Sequence, residues 1–588
     1  MSEDEVKNNS KTSVSRRQIL IGTGAAVAAG AFATPAILAA PSSKVESPST
    51  PTSGVALQDQ VWDFEKKPDP VPDSQIAETL TTDILIIGTG GAGMPCIASA
   101  IETGAKVIAI EKIAKPVFNP ARPDLSRAIG AWYGFAGGRL YEKQGVKLDK
   151  EALAAAQAHS TLWRCDQRQI NRVIRYGDKV ANWWLDILEE QGVDLNTIPI
   201  ETHAEMNQEQ KRPGQHVYWF PTGMVIPAAV AETSFEKHIN DNGFQITYET
   251  AAKYFLREGN KVTGVVAKGP KGYVKILASK AVILATGGFE GNTEMLKKYV
   301  AEYAAIREVY GKKTNTGDGF QMAKWIGARM DPWPLCPMTW DGMNPEAYKL
   351  GYDFVGVARQ AWLYINAHGE RFMNEDATYA AVGKSMFMQP HSMMWTIFDE
   401  KWLDDDVLER VGGTVCRRMT TRRFPFVLPF NTKEFNGKLI DAGVILKADT
   451  IEELAAKMNQ VGPGLGIGAG IKLDVFKATL ERYNSLARSG YDEDFFKDPQ
   501  KFVPCDKPPY YAVRTTVGIL VAQGGALVNE NFQVLDTENE VIPGLYAIGN
   551  VAGGFNGLEY DMIADIGSLG RCCVSGYLAA KHAAGVKV

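Results

Sequence analysis

Thr82-Asp83-Ile84-Leu85-Ile86-Ile87-Gly88-Thr89-Gly90-Gly91-Ala92-Gly93 is the stretch on which the reading of this chain turns. Ile84 to Ile87 are four consecutive apolar residues, the pattern of a short strand buried on both faces. The strand runs straight into GxGxxG, with Gly88, Gly90 and Gly93 at the three motif places and Gly91 and Ala92 between the last two. A helix is expected from Met94 to Thr103, a turn at Gly104-Ala105, and a second strand from Val107 to Ile110 that ends at Glu111. Strand, glycine turn, helix, strand and terminal acid make the βαβ unit that cradles a dinucleotide. The glycines let backbone approach a pyrophosphate at the helix N-terminus, and Glu111 is placed to accept hydrogen bonds from ribose hydroxyls.

The surrounding composition is that of a globular protein: 588 residues, 45% hydrophobic and 22% charged, which excludes a disordered or fibrous chain. Lys plus Arg number 63 against 68 for Asp plus Glu, a balance that argues against nucleic acid as a partner. Seven cysteines include no CxxC pair, so neither a disulfide framework nor a thiolate metal site is expected.

Residues 1–40 read as an export signal rather than part of the fold. Ser15-Arg16-Arg17-Gln18-Ile19-Leu20 is a twin-arginine pattern, followed by an Ala/Gly-rich apolar run to Ala40. Its removal takes away four basic and three acidic groups and leaves the remainder slightly more acidic. The twin-arginine route carries folded passengers, so the signal itself points to a cofactor loaded beforehand and to a periplasmic or other extracytoplasmic destination. Residues 41–78, rich in Ser, Pro, Thr and Asp, read as a flexible spacer, and no later stretch has the apolar length of a membrane span.

Three distant elements narrow the cofactor. Ala281-Val282-Ile283-Leu284-Ala285-Thr286-Gly287-Gly288 is a strand ending in a glycine pair, Thr316-Gly317-Asp318-Gly319 opens a helix, and Gly544-Leu545-Tyr546-Ala547-Ile548-Gly549-Asn550 is a further strand with a glycine end. With the fingerprint they resemble the fumarate reductase/succinate dehydrogenase flavoprotein superfamily from about residue 80 to the C-terminus. The resemblance implies an α/β fold: a Rossmann-like, glutathione reductase-type FAD-binding domain interrupted by an α+β capping domain. The expected divisions are 79–333 and 511–588 for the FAD domain and 334–510 for the cap. It implies FAD contacts from Gly88, Gly90, Gly91, Ala92, Gly93, Glu111, Lys112, Ala252, Thr286, Gly287, Asp318, Gly525, Gly549, Asn550, Ile563 and Ala564. No His occurs between the first βαβ unit and His159, so the FAD is expected to be non-covalent.

Asn366-Ala367-His368-Gly369-Glu370-Arg371-Phe372-Met373-Asn374-Glu375 matches the family pattern NxxGxRFxNE. Where fumarate reductases carry a proton-donating Arg four residues later, this chain has Tyr379, and where they hold a substrate carboxylate with Arg it has Tyr560. The family's two active-site histidines are also missing, one of them replaced at Leu520-Val521. A dicarboxylate needs guanidinium partners that phenols cannot replace, so fumarate reduction is not expected. Tyr at both places resembles the 3-ketosteroid dehydrogenases of the superfamily. That resemblance implies proton transfer by Tyr379, carbonyl binding by Tyr560 and hydride exchange at flavin N5, while the wider superfamily resemblance sets Arg359 near the family's proton-relay arginine. The expected activity is reduction of a C=C bond conjugated to a carbonyl in a neutral, bulky substrate. Desaturation of a ketosteroid-like substrate is the alternative direction. Reduction of an unsaturated monocarboxylate held by Arg359 or Arg514 is a further one. Trp- and Met-rich segments such as Met393-Met394-Trp395 read chiefly as core, while Trp132 and Tyr133 are candidates to face the substrate. No CxxCH or iron–sulfur spacing supplies electrons internally, so a separate carrier, a cytochrome, is expected.

Overall fold

The computed structural model describes residues 61–116, 132–145, 148–198, 200–201, 223–226, 228–300, 308–309, 311, 313–332, 337–340, 344, 346–347, 350, 355–377, 379–412, 432–461, 470–557 and 566–588. The export signal, Tyr560, Ile563, Ala564 and the side chain of Tyr379 lie outside the described residues.

The fold is built on β1 (Ile76–Ile87), α1 (Gly93–Ile101) and β2 (Val107–Ile110). Ile84 to Ile87 are buried because this half of β1 has parallel neighbours on both sides, β2 and the strand Gly272–Leu284. The earlier half, Ile76 to Thr82, pairs only with Gly272–Leu284 and is more exposed. The seven-stranded sheet runs Gln533–Leu535, Val541–Ala547, Gly272–Leu284, β1, β2, with Lys261–Gly269 paired antiparallel to Gly272–Leu284 and Ala251–Glu258 paired antiparallel to Lys261–Gly269.

Register is what makes the sheet a binding platform. Ile87 pairs with both Ile110 and Leu284, and Leu284 pairs with Ala547, so four parallel strands end at one edge. In parallel sheets, ligands bind outside such carboxyl ends. Behind that edge α1 packs against the C-terminal helix Arg571–Ala584. Their approach is close enough that a Cβ on Gly576 would fall 2.5 Å from the Ala92 carbonyl oxygen. Pro95 is accommodated in the first turn of α1, where an N–H has no intrahelical acceptor.

A second, antiparallel sheet forms the core of the cap, in the order Leu363–Ile365, Met393–Asp399, Tyr510–Thr516, Ile445–Ala448. All seven residues of Met393–Asp399 are buried, as the core reading of Met393, Met394 and Trp395 expects, whereas Met388 is 85% exposed. The strand Tyr510–Thr516 pairs with Met393–Asp399 throughout its length, so the cap sheet runs past residue 510.

The later part of the expected spacer carries structure. Trp62 and Phe64 are buried against Phe289, Met295 and Phe320, and β1 begins at Ile76. Ser/Pro/Thr composition hides two aromatic anchors, whose burial offsets the ordering entropy of so short a segment.

Candidate active site

The first glycine turn is shaped by two tight contacts and one opening. Gly88 has φ +101°, and a Cβ there would lie 2.5 Å from the Ala285 carbonyl oxygen. A Cβ on Gly93 would lie 2.1 Å from the Gly88 carbonyl oxygen. One on Gly90 would meet nothing within 4 Å. The outer glycines are therefore required by the protein's own packing, while Gly90 faces space that a ligand backbone can enter. The Gly91-Ala92 turn leads from there into α1.

Glu111, at the end of β2, closes this turn. Its Oε2 accepts from Thr89 N (2.9 Å) and Thr89 Oγ1 (3.0 Å), and Oε1 accepts from Ile113 N (3.2 Å). A carboxylate offers about four acceptor sites, so capacity for a ribose hydroxyl remains. Ala252 is the second residue of the strand Ala251–Glu258, two residues after Thr250, whose N–H donates to the Glu111 carbonyl oxygen at 2.8 Å. Lys112 reaches across to the helix Asp318–Trp325, donating to Thr316 Oγ1 (2.8 Å) and Asp318 Oδ2 (2.9 Å). The sequence-predicted Lys112 and Asp318, separated by 206 residues, are thus brought together.

Beside Leu284 the chain turns at Gly287, with φ +74°, and Thr286 Oγ1 is buried with no hydrogen-bond partner among the described residues. Beside Ala547, Gly549 also has positive φ (+64°), and its Cβ would collide with Ala92. Gly525 packs so closely that its Cβ would lie 1.8 Å from the Val551 carbonyl oxygen. Asn550 Oδ1 accepts from Arg571 Nη2 at 3.0 Å. An open glycine, an orphaned hydroxyl and three glycine approaches at one sheet edge fit an extended dinucleotide. When bound, FAD supplies a centre for hydride exchange.

Sequence reading missed Glu290, which binds these loops to one another. It is fully buried, accepts from Asn315 Nδ2 (2.7 Å) and from Ala522 N (3.2 Å), and lies against Gly288 and Gly311. Burial pushes its carboxyl up to about 7, against the pull of those hydrogen bonds and of Lys112. Its adjacency to the Thr286–Gly288 turn was the available signal. Arg571 and Gln523, also missed, stand in apolar stretches, residues 569–574 and 519–526, with no motif of their own.

In the cap, the NxxGxRFxNE pattern folds on itself. Asn366 Oδ1 accepts from His368 N (2.9 Å) and Glu370 N (3.1 Å), with Gly369 at φ +99°. Arg371 makes paired bonds to Glu375 (2.8 and 2.9 Å) and to Asp492 (3.0 and 2.7 Å), and Lys497 lies 3.1 Å from Glu375. Burial pushes Lys497 down to about 8 while Glu375 pulls it back up. This buried network fixes the turn from which the helix Tyr379–Phe387 departs. Arg359 sits fully buried in the cap, on the turn Gly356–Arg359. Arg514 is paired with Glu346, which counts against its use for a substrate carboxylate. Tyr133 packs edge-on against Trp184, ring centroids 4.4 Å apart, and takes a core place. Among the described residues no acidic, His or Cys cluster is built for a metal ion, and no helix is long and apolar enough to cross a membrane.

Fold and cradle together define a dinucleotide-binding flavoprotein, with FAD as cofactor. The family model described as the FAD binding domain matches residues 83–560, and the chain belongs to that family. It is an FAD-dependent oxidoreductase acting on CH–CH groups. The vinyl phenol reductase of Lactiplantibacillus plantarum is 25% identical over 85% of this chain and 96% of its own. The fumarate reductase (cytochrome) of Shewanella frigidimarina is 26% identical over 85% of this chain and 77% of its own. A 3-oxosteroid 1-dehydrogenase of Mycobacterium tuberculosis is 30% identical over 53% of each chain. The solved 3-ketosteroid delta1-dehydrogenase from Sterolibacterium denitrificans shares the fold, with TM-score 0.62 and 20% identity over 86% of this chain and all of that one.

Proposed function

We propose that this protein is exported by the twin-arginine route and reduces a C=C bond conjugated to a carbonyl in a neutral, bulky organic substrate, with non-covalent FAD. The observation that carries the reading is the placement of Tyr379 at the start of the helix Tyr379–Phe387, directly behind the braced Arg371–Glu375 turn. Tyr379 donates the proton to the carbon α to the carbonyl, and Tyr560 holds the carbonyl oxygen while charge develops on it. The hydride and this proton together saturate the double bond. A Tyr with its ordinary pKa near 10 is a weak base at neutral pH but an adequate acid toward an enolate. Two phenols in place of two arginines favour a neutral substrate over fumarate. The vinyl phenol reductase, matched along nearly its whole length, supports reduction of a neutral conjugated alkene. A separate cytochrome serves as electron donor, in keeping with the fumarate reductase (cytochrome) relative.

The test is to reduce the FAD-loaded protein with viologen and follow reoxidation by enones, steroids, a vinyl phenol, acrylates and fumarate. An enone or ketosteroid-like alkene should turn over. Fumarate turnover, or preference for acrylates, would overturn the neutral-substrate reading. Tyr379→Phe should lower kcat on the best substrate by about a hundredfold or more with little change in KM. Flavin remaining with acid-precipitated protein would contradict non-covalent binding.

A further inference from the structure

Five polar side chains form one hydrogen-bonded chain, and four of them are buried. Gln157 comes from the helix Lys150–Ser160, Gln523 follows the strand Gly518–Ala522, Asn550 and Asn556 follow the last strand, and Arg571 begins the C-terminal helix. Gln157 Nε2 donates to Asn556 Oδ1 (3.5 Å), and Asn556 Nδ2 donates to Gln523 Oε1 (2.5 Å). Arg571 Nη2 donates to Gln523 Oε1 (3.4 Å) and Asn550 Oδ1 (3.0 Å), and its guanidinium lies 4.8 Å above the Phe555 ring. Arg571 is 3% exposed and has no carboxylate partner among the described residues.

The middle of the chain fixes its direction. Gln523 Oε1 accepts from two donors, so turning that amide over would set its NH2 against the N–H groups of Asn556 and Arg571. Gln523 Nε2 therefore points elsewhere and finds no acceptor among the described residues, and neither does Arg571 Nε. At the opposite end, Gln157 Oε1 has no donor among the described residues. The chain is polarised, with a cationic, donor-only end at Gln523 and Arg571. Buried donors and buried cations are normally answered by an acceptor or an anion. This end lies where two cofactor segments meet: Asn550 follows Gly549, and Gln523 precedes Gly524 and Gly525, the latter packed on Val551.

We propose that Gln523 and Arg571 form a cationic donor edge for the carbonyl-bearing ring of the flavin, binding reduced FAD more tightly than oxidised FAD and so raising its potential. This rests on FAD occupying the cradle described above. A preorganised donor edge stabilises the redox form that carries more negative charge.

The experiment measures uptake of oxidised FAD and its two-electron midpoint potential in wild type, Gln523→Glu, Gln523→Leu and Arg571→Lys. Gln523→Glu cannot donate and neutralises Arg571. It should cut the ratio of affinities for reduced over oxidised FAD at least tenfold, a fall of about 30 mV. Gln523→Leu, which removes the donor without adding charge, should move the ratio in the same direction by about threefold and is decisive if the Glu variant does not fold. Arg571→Lys, which keeps the charge, should stay nearer wild type than Gln523→Glu. An unchanged potential in an FAD-loaded Gln523 variant overturns the proposal. So does a rise in substrate KM with the potential unmoved, which would give the edge to the substrate's carbonyl. Failure of wild type to take up FAD would instead overturn the cradle itself.

Discussion

A single carboxyl links the loops that make up the cradle. Glu290 touches the Gly287-Gly288 turn, the Asn315–Asp318 segment and the end of the strand Gly518–Ala522. Burial raises its pKa from 4.5 to about 7 in the fold, whereas the unfolded chain keeps the ordinary value. Between those two values the folded state holds a proton that the unfolded state has lost, so this group's contribution to stability falls as pH rises from about 4.5 to 7 and then levels off. The full excursion is about 3 kcal/mol by the free-energy equivalent of a pKa unit. Glu290→Gln should therefore flatten the dependence of Tm on pH between 5 and 8, whatever its effect on the absolute Tm. Thermal melts of apoprotein across that range check it, and parallel wild-type and variant curves would refute it.

At the scale of elements, the glycine turn separates folding from binding. Gly93→Ala sets a Cβ 2.1 Å from a backbone oxygen and should prevent α1 from seating on β1. Gly90 lacks both a positive φ and a nearby atom, so Gly90→Ala should leave apoprotein stability within about 1 kcal/mol of wild type. It should still weaken FAD binding at least tenfold, because the added methyl occupies the ligand's approach. Denaturant unfolding of apoprotein and FAD titration, done on both variants, distinguish the two effects. This unit was legible in sequence because its order is local: buried run, glycine turn, helix and acid follow within 30 residues. Lys112 and Asp318 were legible as separate motifs, but not their bond. The cap sheet was not legible, since its strands lie between residues 363 and 516 and no short-range pattern specifies that pairing. Glu290, Gln523 and Arg571 escaped for a related reason. A buried polar group is defined by partners distant in sequence, so its own neighbours say little.

Over the whole molecule, the described fold begins before the dinucleotide unit. Trp62 and Phe64 enter an apolar cluster with Phe289 and Phe320, and the Glu65 carbonyl accepts from Trp325 Nε1 at 3.0 Å. Burial pushes the Glu65 carboxyl up, but bonds from Lys298 and Lys324, each 2.7 Å, outweigh it and hold the group at about 2. The segment thus braces the outer face of the helix that carries Asp318. A chain starting at residue 67 should be less stable than one starting at residue 57 by about 3 kcal/mol or more, from the two buried aromatics. Because Glu65 has a depressed pKa, its share is present above about pH 4.5 and is lost as pH falls toward 2. The gap between the two truncated chains should therefore narrow on acidification. Denaturant unfolding at pH 7 and pH 4 measures this, and a gap that is absent at pH 7, or that widens in acid, would exclude the bracing role.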